Sequence, residues 1–196
     1  MRKDRILRGL LIGRKGKVAL AKPRLALLRA LLASKSGATL VEFALVAPAF
    51  FALIVAIFQT AFLFLAEQGL QTSADAAARL LLTGQTTTNA YTAAQFKTAA
   101  CTTLPPFLSC SRLYIDVSTA SSFSAATLGA PTITYDSSGN VTNSFNYTTG
   151  SSGQIIVLRM IYLWPTLTGP LGFSLVTTGK NQHLVLATAV IKAERY

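Results

Sequence analysis

The longest apolar run in the chain extends from Phe43 to Leu65, and within it Gln59 and Thr60 are the only strongly polar side chains. As a helix rising 1.5 Å per residue, these 23 residues would be about 34 Å long, enough for the roughly 30 Å hydrocarbon core of a bilayer. The helical pattern does not stop there. Leu70, Ala74, Ala77 and Leu81 follow at i, i+4, i+7 and i+11, one apolar stripe on an otherwise polar segment, until Gly84 and the polar residues Gln85 to Asn89 end it. The pattern therefore predicts one helix of roughly 45 residues, apolar all round at first and amphipathic afterwards. A secretory signal peptide is the competing reading, but its apolar stretch is shorter and gives way to a small-residue cleavage site and polar mature sequence. Pro48 removes one rung of the hydrogen-bond ladder, so it either bends the helix or is tolerated as prolines in membrane helices often are.

Beyond Asn89 the period changes. Thr92 to Ala100 reads as a short helix, whereas Arg112 to Ser118, Pro131 to Tyr135, Gln154 to Trp164 and His183 to Lys192 are rich in β-branched and aromatic residues and read as strands. Ser/Thr/Gly/Asn-rich linkers at Ser118 to Thr127 and Asp136 to Gly153 separate them. The expected fold class is α+β: a long N-terminal transmembrane and stem helix packed on a small antiparallel β-sheet domain. The expected organisation is a basic leader over 1–37, a membrane helix over 38–66, its stem continuation and a linker over 67–89, and an exported domain over 90–196.

Charge gives this arrangement a direction. The net charge is +11, but the first 37 residues hold eleven of the 18 Lys and Arg against the single acid Asp4, so this arm carries +10 by itself. From Ala38 onward the chain is nearly neutral, which leaves no broad cationic face for phosphates and argues against a nucleic-acid partner. Lys and Arg before a first membrane span are retained in the cytoplasm, so the N-terminus is expected inside and the C-terminal domain exported. A mean hydropathy of +0.46 fits a membrane protein.

Candidate chemistry is sparse. Cys101 and Cys110 are the only cysteines and there is one histidine, His183, so a zinc-type ligand set cannot be completed and no metal or other cofactor is expected. In an oxidising compartment the two cysteines are expected to form a disulfide; buried core thiols are the alternative. The sequence Asp136-Ser-Ser-Gly-Asn140 is a turn signal with too few carboxylates for a calcium loop. Tyr162, Trp164 and Phe173, near Pro165 and Pro170, suit core packing, interfacial anchoring or partner contact. No nucleophile elbow, phosphate-binding loop or histidine pair is present, so the chain is not expected to be an enzyme.

The most informative segment is Ser36-Gly-Ala-Thr-Leu-Val-Glu-Phe43, where a carboxylate sits just inside the apolar run. Glutamate is costly there and normally finds a partner or an aqueous route. A cut after Gly37 would give Ala38 a new α-ammonium one helical turn before Glu42 and on the same face. A capping box, Thr39 at the cap and Glu42 three residues on, is the structural alternative.

The segment resembles a class III prepilin leader junction. Its continuation, Gly37-Ala-Thr-Leu-Val-Glu-Phe-Ala-Leu-Val-Ala-Pro48 with Ser73-Ala-Asp-Ala-Ala-Ala-Arg79, resembles the TadE-like family of minor pseudopilins in tight-adherence pilus systems, and Ala187 to Tyr196 is similar to that family's C-terminal segment. The resemblance implies a pilin-like fold and cleavage between Gly37 and Ala38 by a membrane aspartic prepilin peptidase. It also implies recognition through Thr39, Glu42 and Phe43, and partners among other pilin or pseudopilin subunits, inner-membrane assembly proteins and membrane lipid. An uncleaved anchored domain that binds a partner without polymerising is the alternative function.

Overall fold

A computed structural model of the chain describes residues 37–194; the basic arm read from the charge pattern lies outside the described residues. The chain divides into two compact units, residues 1–47 and 48–196. Helix α1 (Ala38–Leu82) is assigned as one 45-residue element with Pro48 inside it. In the first unit the described residues are this helix's opening turns, which begin directly after Gly37. Thr39 is already helical, and a cap residue needs non-helical backbone to turn its hydroxyl onto the N3 amide, so the capping-box reading of Thr39 and Glu42 falls.

The second unit is organised by one stripe of the helix. Leu63, Ala66, Leu70, Ala74, Ala77 and Leu81 are all 7% exposed or less, at the 3.6-residue period that the sequence displays. Ala66, Ala74 and Ala77 fall with no regular period among the leucines of this stripe, and each fully buried leucine contributes roughly 1.5–3 kcal/mol. Ser73 lies on the same buried face and is satisfied there: its hydroxyl donates to the carbonyls of Gly69 and Thr103. Gly84, in the left-handed conformation at φ 69°, ends the helix as its sequence predicts. The single turn α2 (Gln85–Thr88) follows, and then α3 (Ala93–Cys101), whose capping box pairs Thr92 with Gln95.

Among the described residues three strands form one antiparallel sheet in the order β1 (Leu113–Ala120), β2 (Ile155–Pro165), β3 (Gln182–Lys192). Central β2 is buried on both faces, which explains why Ile-Ile-Val-Leu-Arg-Met-Ile-Tyr-Leu-Trp shows little polar alternation. Ile156, Leu158, Met160 and Tyr162 join Leu113, Val117, Val185 and Ala187 in the core cluster with the helix stripe. At the end of β3 the Glu194 amide donates to the Leu82 carbonyl over 3.0 Å, satisfying one of the groups that a helix terminus leaves unpaired.

The opposite sheet face holds Val157, Ile161 and Leu163, all buried, together with a cross-strand ion pair. Arg159 donates to Asp116 Oδ2 through Nη2 at 2.9 Å and Nε at 3.2 Å, and its Nη1 reaches the Gly129 carbonyl. Asp116, 2% exposed, also accepts from the Asn146 amide at 2.8 Å. These bonds hold the excursion between β1 and β2 against the sheet, so its Ser/Thr/Asn-rich sequence is an ordered covering layer. Within it Pro131 to Tyr135 forms no strand, against expectation. A lone antiparallel bridge joins Tyr135 to Val141, and bonds from Thr134 to Thr142 and Asn143 replace a regular ladder. Pro131 contributes no amide, and the Asp136–Asn140 turn closes the strand pair before a ladder can lengthen.

Two substitutions test this packing. Asp116→Ala leaves the Arg159 guanidinium without its carboxylate and should cost about 3 kcal/mol in denaturant unfolding of the detergent-solubilised chain. A Cβ on Gly69 would lie 2.7 Å from Pro105 Cγ. Alanine gains up to about 1 kcal/mol of helix propensity there, but overpacking costs about 1–3 kcal/mol, so Gly69→Ala should lower stability by about 1 kcal/mol in the same measurement.

Candidate functional site

At the junction a Cβ on Gly37 would meet nothing within 4 Å among the described residues, and its backbone is outside the positive-φ region, so packing among those residues does not require glycine there. Ala38, Thr39 and Glu42 are exposed on the first turns of α1, and Phe43 is 65% exposed. With Ala38 at the helix start, Glu42 lies four residues on and on the same face.

Exposed apolar side chains recur along the helix from Leu40 to Leu65, with Phe50, Phe51, Phe58, Phe62 and Phe64 each more than half exposed. Water does not tolerate so continuous an apolar surface on one element. The helix is long and apolar enough to cross a membrane, and its most apolar window is 6% buried in the protein itself. Thr60 bonds its hydroxyl to the Ala56 carbonyl at 2.9 Å, so this polar group brings its own partner into the apolar run. Leu63 and Ala66, which the sequence pattern places in the membrane span, already belong to the core of the second unit.

Cys101 and Cys110 form a disulfide with a Cα separation of 5.7 Å, joining the end of α3 to the residues before β1. The loop that it closes packs Pro105 and Phe107 onto the helix at Gly69. Tyr162 is buried and accepts the Ser109 amide at 3.0 Å, which fixes the exit of the same loop to the sheet. Trp164 and Phe173 are only partly buried. Both lie beside the apolar helix, Trp164 near Gln59 and Phe62, Phe173 near Ala56, Ile57 and Phe64. His183, at the start of β3, is held through Nδ1 to the Leu175 carbonyl.

Among the described residues three groups depart from their ordinary acidity, each for a local reason. Hydrogen bonds from the Asn140 side chain and amide hold the exposed Asp136 carboxyl below its usual range. Burial lowers Lys97, whose ammonium lies 5.6 Å from the centre of the Tyr114 ring. Burial, with Tyr91 nearby, raises the Tyr147 phenol. The three are dispersed, and among the described residues no three of His, Cys, Asp and Glu gather as metal ligands. Asp116, Arg159 and Gly69 escaped the sequence reading. Alternation put Asp116 on the face away from Leu113 and Val117, but that face counts as solvent unless a distant segment covers it.

Helix, sheet and disulfide define an α+β domain carried on one helix that can span a membrane. Residues 37–79 match the family model described as TadE-like protein, which begins at Gly37 and covers the apolar run and most of the buried stripe. No curated protein and no solved structure matches the chain. The late segment from Ala187, similar on sequence to the family's ending, lies outside that match and forms the second half of β3.

The disulfide closes a short loop, worth about 2.5 kcal/mol by chain entropy. Cys101→Ser with Cys110→Ser should lower stability by about that amount, and non-reducing peptide mapping of the thiol-blocked wild type should recover the two cysteines in one linked peptide pair.

Proposed function

We propose that this chain is a minor pilin or pseudopilin of a tight-adherence, type IV-like pilus. It is a single-pass inner-membrane subunit with its basic arm in the cytoplasm and its α+β domain in the periplasm, processed after Gly37 before it joins other subunits. The observation that carries the reading is the TadE-like match over residues 37–79, which opens on the same glycine that precedes helix α1. Two features support it. Glycine at 37 has no packing reason among the described residues, and a requirement imposed from outside, such as close backbone approach by a peptidase, accounts for it. Most of the aromatic-rich helix surface is exposed among the described residues, as expected of a helix that resides in lipid and then packs against other helices. The domain boundaries follow: leader 1–37, membrane helix from 38, stem to 89, periplasmic domain to 196. The chain serves as a structural part, and its partners are a prepilin peptidase, other pilus subunits and the assembly proteins of the inner membrane.

Glu42 has a defined task in this reading. After cleavage the Ala38 α-ammonium and the Glu42 carboxylate neutralise each other at the edge of an apolar medium, within one chain or between neighbours, where either charge alone is costly. Since Thr39 is not a cap, Glu42→Ala should leave helix stability nearly unchanged.

Two substitutions separate processing from assembly. Gly37→Phe should accumulate as the full-length form in the inner membrane. Glu42→Ala should still be cut, while its recovery with pilus partners falls about tenfold, equivalent to roughly 1.4 kcal/mol of lost pairing. If the wild type keeps residues 1–37 in cells with an active prepilin peptidase, and Glu42→Ala co-purifies normally, the chain is an uncleaved anchored domain.

A further inference from the structure

The connection between β2 and β3, Thr166 to Asn181, carries two of the most exposed large apolar side chains in the described molecule, Leu167 at 80% and Leu171 at 83%. No charged residue occurs from Thr166 to Gly179; Lys180 is the first. Leu171 adopts φ 58° and Gly172 φ 81°, and the Gly169 amide closes the tip by donating to the Phe173 carbonyl at 2.7 Å. A β-carbon-bearing residue is uncommon in that left-handed conformation, and here it ends in a leucine that the protein leaves uncovered.

Position along the helix supplies the occupant. The uncharged stretch runs from Phe43 to Ala66, between Glu42 and Glu67. A hydrocarbon core of about 30 Å takes about 20 helical residues, so a span that starts at Phe43 leaves the core near Phe62. Phe62 is the residue beside which Trp164 and Leu167 lie. Phe173 borders the stretch of helix from Ala56 to Phe64, whose inner end is six residues deeper than Phe62 and so about 9 Å along the axis, within the roughly 5–10 Å depth at which interfacial segments sit. The loop's apolar tip is therefore level with the outer boundary of the bilayer and continuous with the lipid-facing helix.

We propose that the β2–β3 connection is a second membrane contact, with Leu167, Leu171 and Phe173 inserted among lipid acyl chains and Trp164 at the headgroup level, where amphipathic rings concentrate. The domain then stands on two points, helix and loop, which fixes its tilt against the bilayer. This inference rests on the reading of α1 as a membrane span, and the experiment tests the two separately.

Full-length protein in liposomes, with its native disulfide intact, is given one additional cysteine at a time and labelled with an environment-sensitive fluorophore. The variants are Leu167→Cys, Leu171→Cys, Leu53→Cys in the span and Ser151→Cys at the far end of the sheet. Brominated lipid should quench the labels at 167 and 171 about twofold or more, as at 53, and leave 151 unchanged. Trp164, the only tryptophan, reports the same contact without a label or substitution and should be quenched by lipid brominated near the headgroup. A label at 53 that reads water overturns the membrane span. Lipid at 53 with water at 167 and 171, and Trp164 unquenched, overturns the loop contact alone. Labels at 167 and 171 shielded from water yet beyond reach of brominated lipid mean that another protein copy covers the loop, which also overturns the proposal.

Discussion

A single helix that must satisfy two environments is the constraint on which the rest of this structure depends. In the second unit, the phenylalanines before Leu63 are exposed, whereas from Leu63 to Leu81 one narrow stripe is buried and the opposite face carries Gln68, Thr72, Asp75 and Arg79. That stripe is the attachment of the sheet. Its leucines supply burial of a few kcal/mol each, and Ser73 is tolerated because two carbonyls receive its hydroxyl.

Three devices keep the sheet on that stripe. The disulfide loop leans Pro105 on the helix where Gly69 leaves room. The Glu194 amide closes the helix terminus at Leu82. On the sheet's far face the buried pair of Asp116 and Arg159 ties down a polar segment that would otherwise leave Val157 and Ile161 wet. Each device ties the small sheet to a segment outside it. An ion pair here contributes less through its charges than through the arrangement it enforces, since a well-packed apolar pair could be equally stable.

The same geometry bears on the TadE-like reading. A subunit that leaves the bilayer must exchange lipid for protein along an apolar helix surface, and the rows of exposed phenylalanine provide that surface without disturbing the buried stripe. The sheet and disulfide occupy one side of the stem and leave the other side available. On the proposed reading, assembly and domain stability would use different faces of one helix.

What the sequence determined by itself was everything governed by local period and composition. The apolar run, the stripe from Leu70 to Leu81, the stop at Gly84, the capped helix after Thr92 and the outlines of three strands all depend on residues a few positions apart, and the structure places them where the pattern does. The cysteine pair was legible for the same reason, since few alternatives exist for two thiols so near each other. Tertiary structure alone decided what covers each face. Pro131 to Tyr135 has strand-like composition, but no neighbouring strand offers it a ladder, and side-chain bonds take over. Asp116 falls on the polar side of its strand by alternation and becomes buried because a segment thirty residues on folds over it. Leu63 and Ala66 look like membrane residues in sequence and are core residues in the fold, because an apolar face does not specify whether lipid or a sheet will meet it.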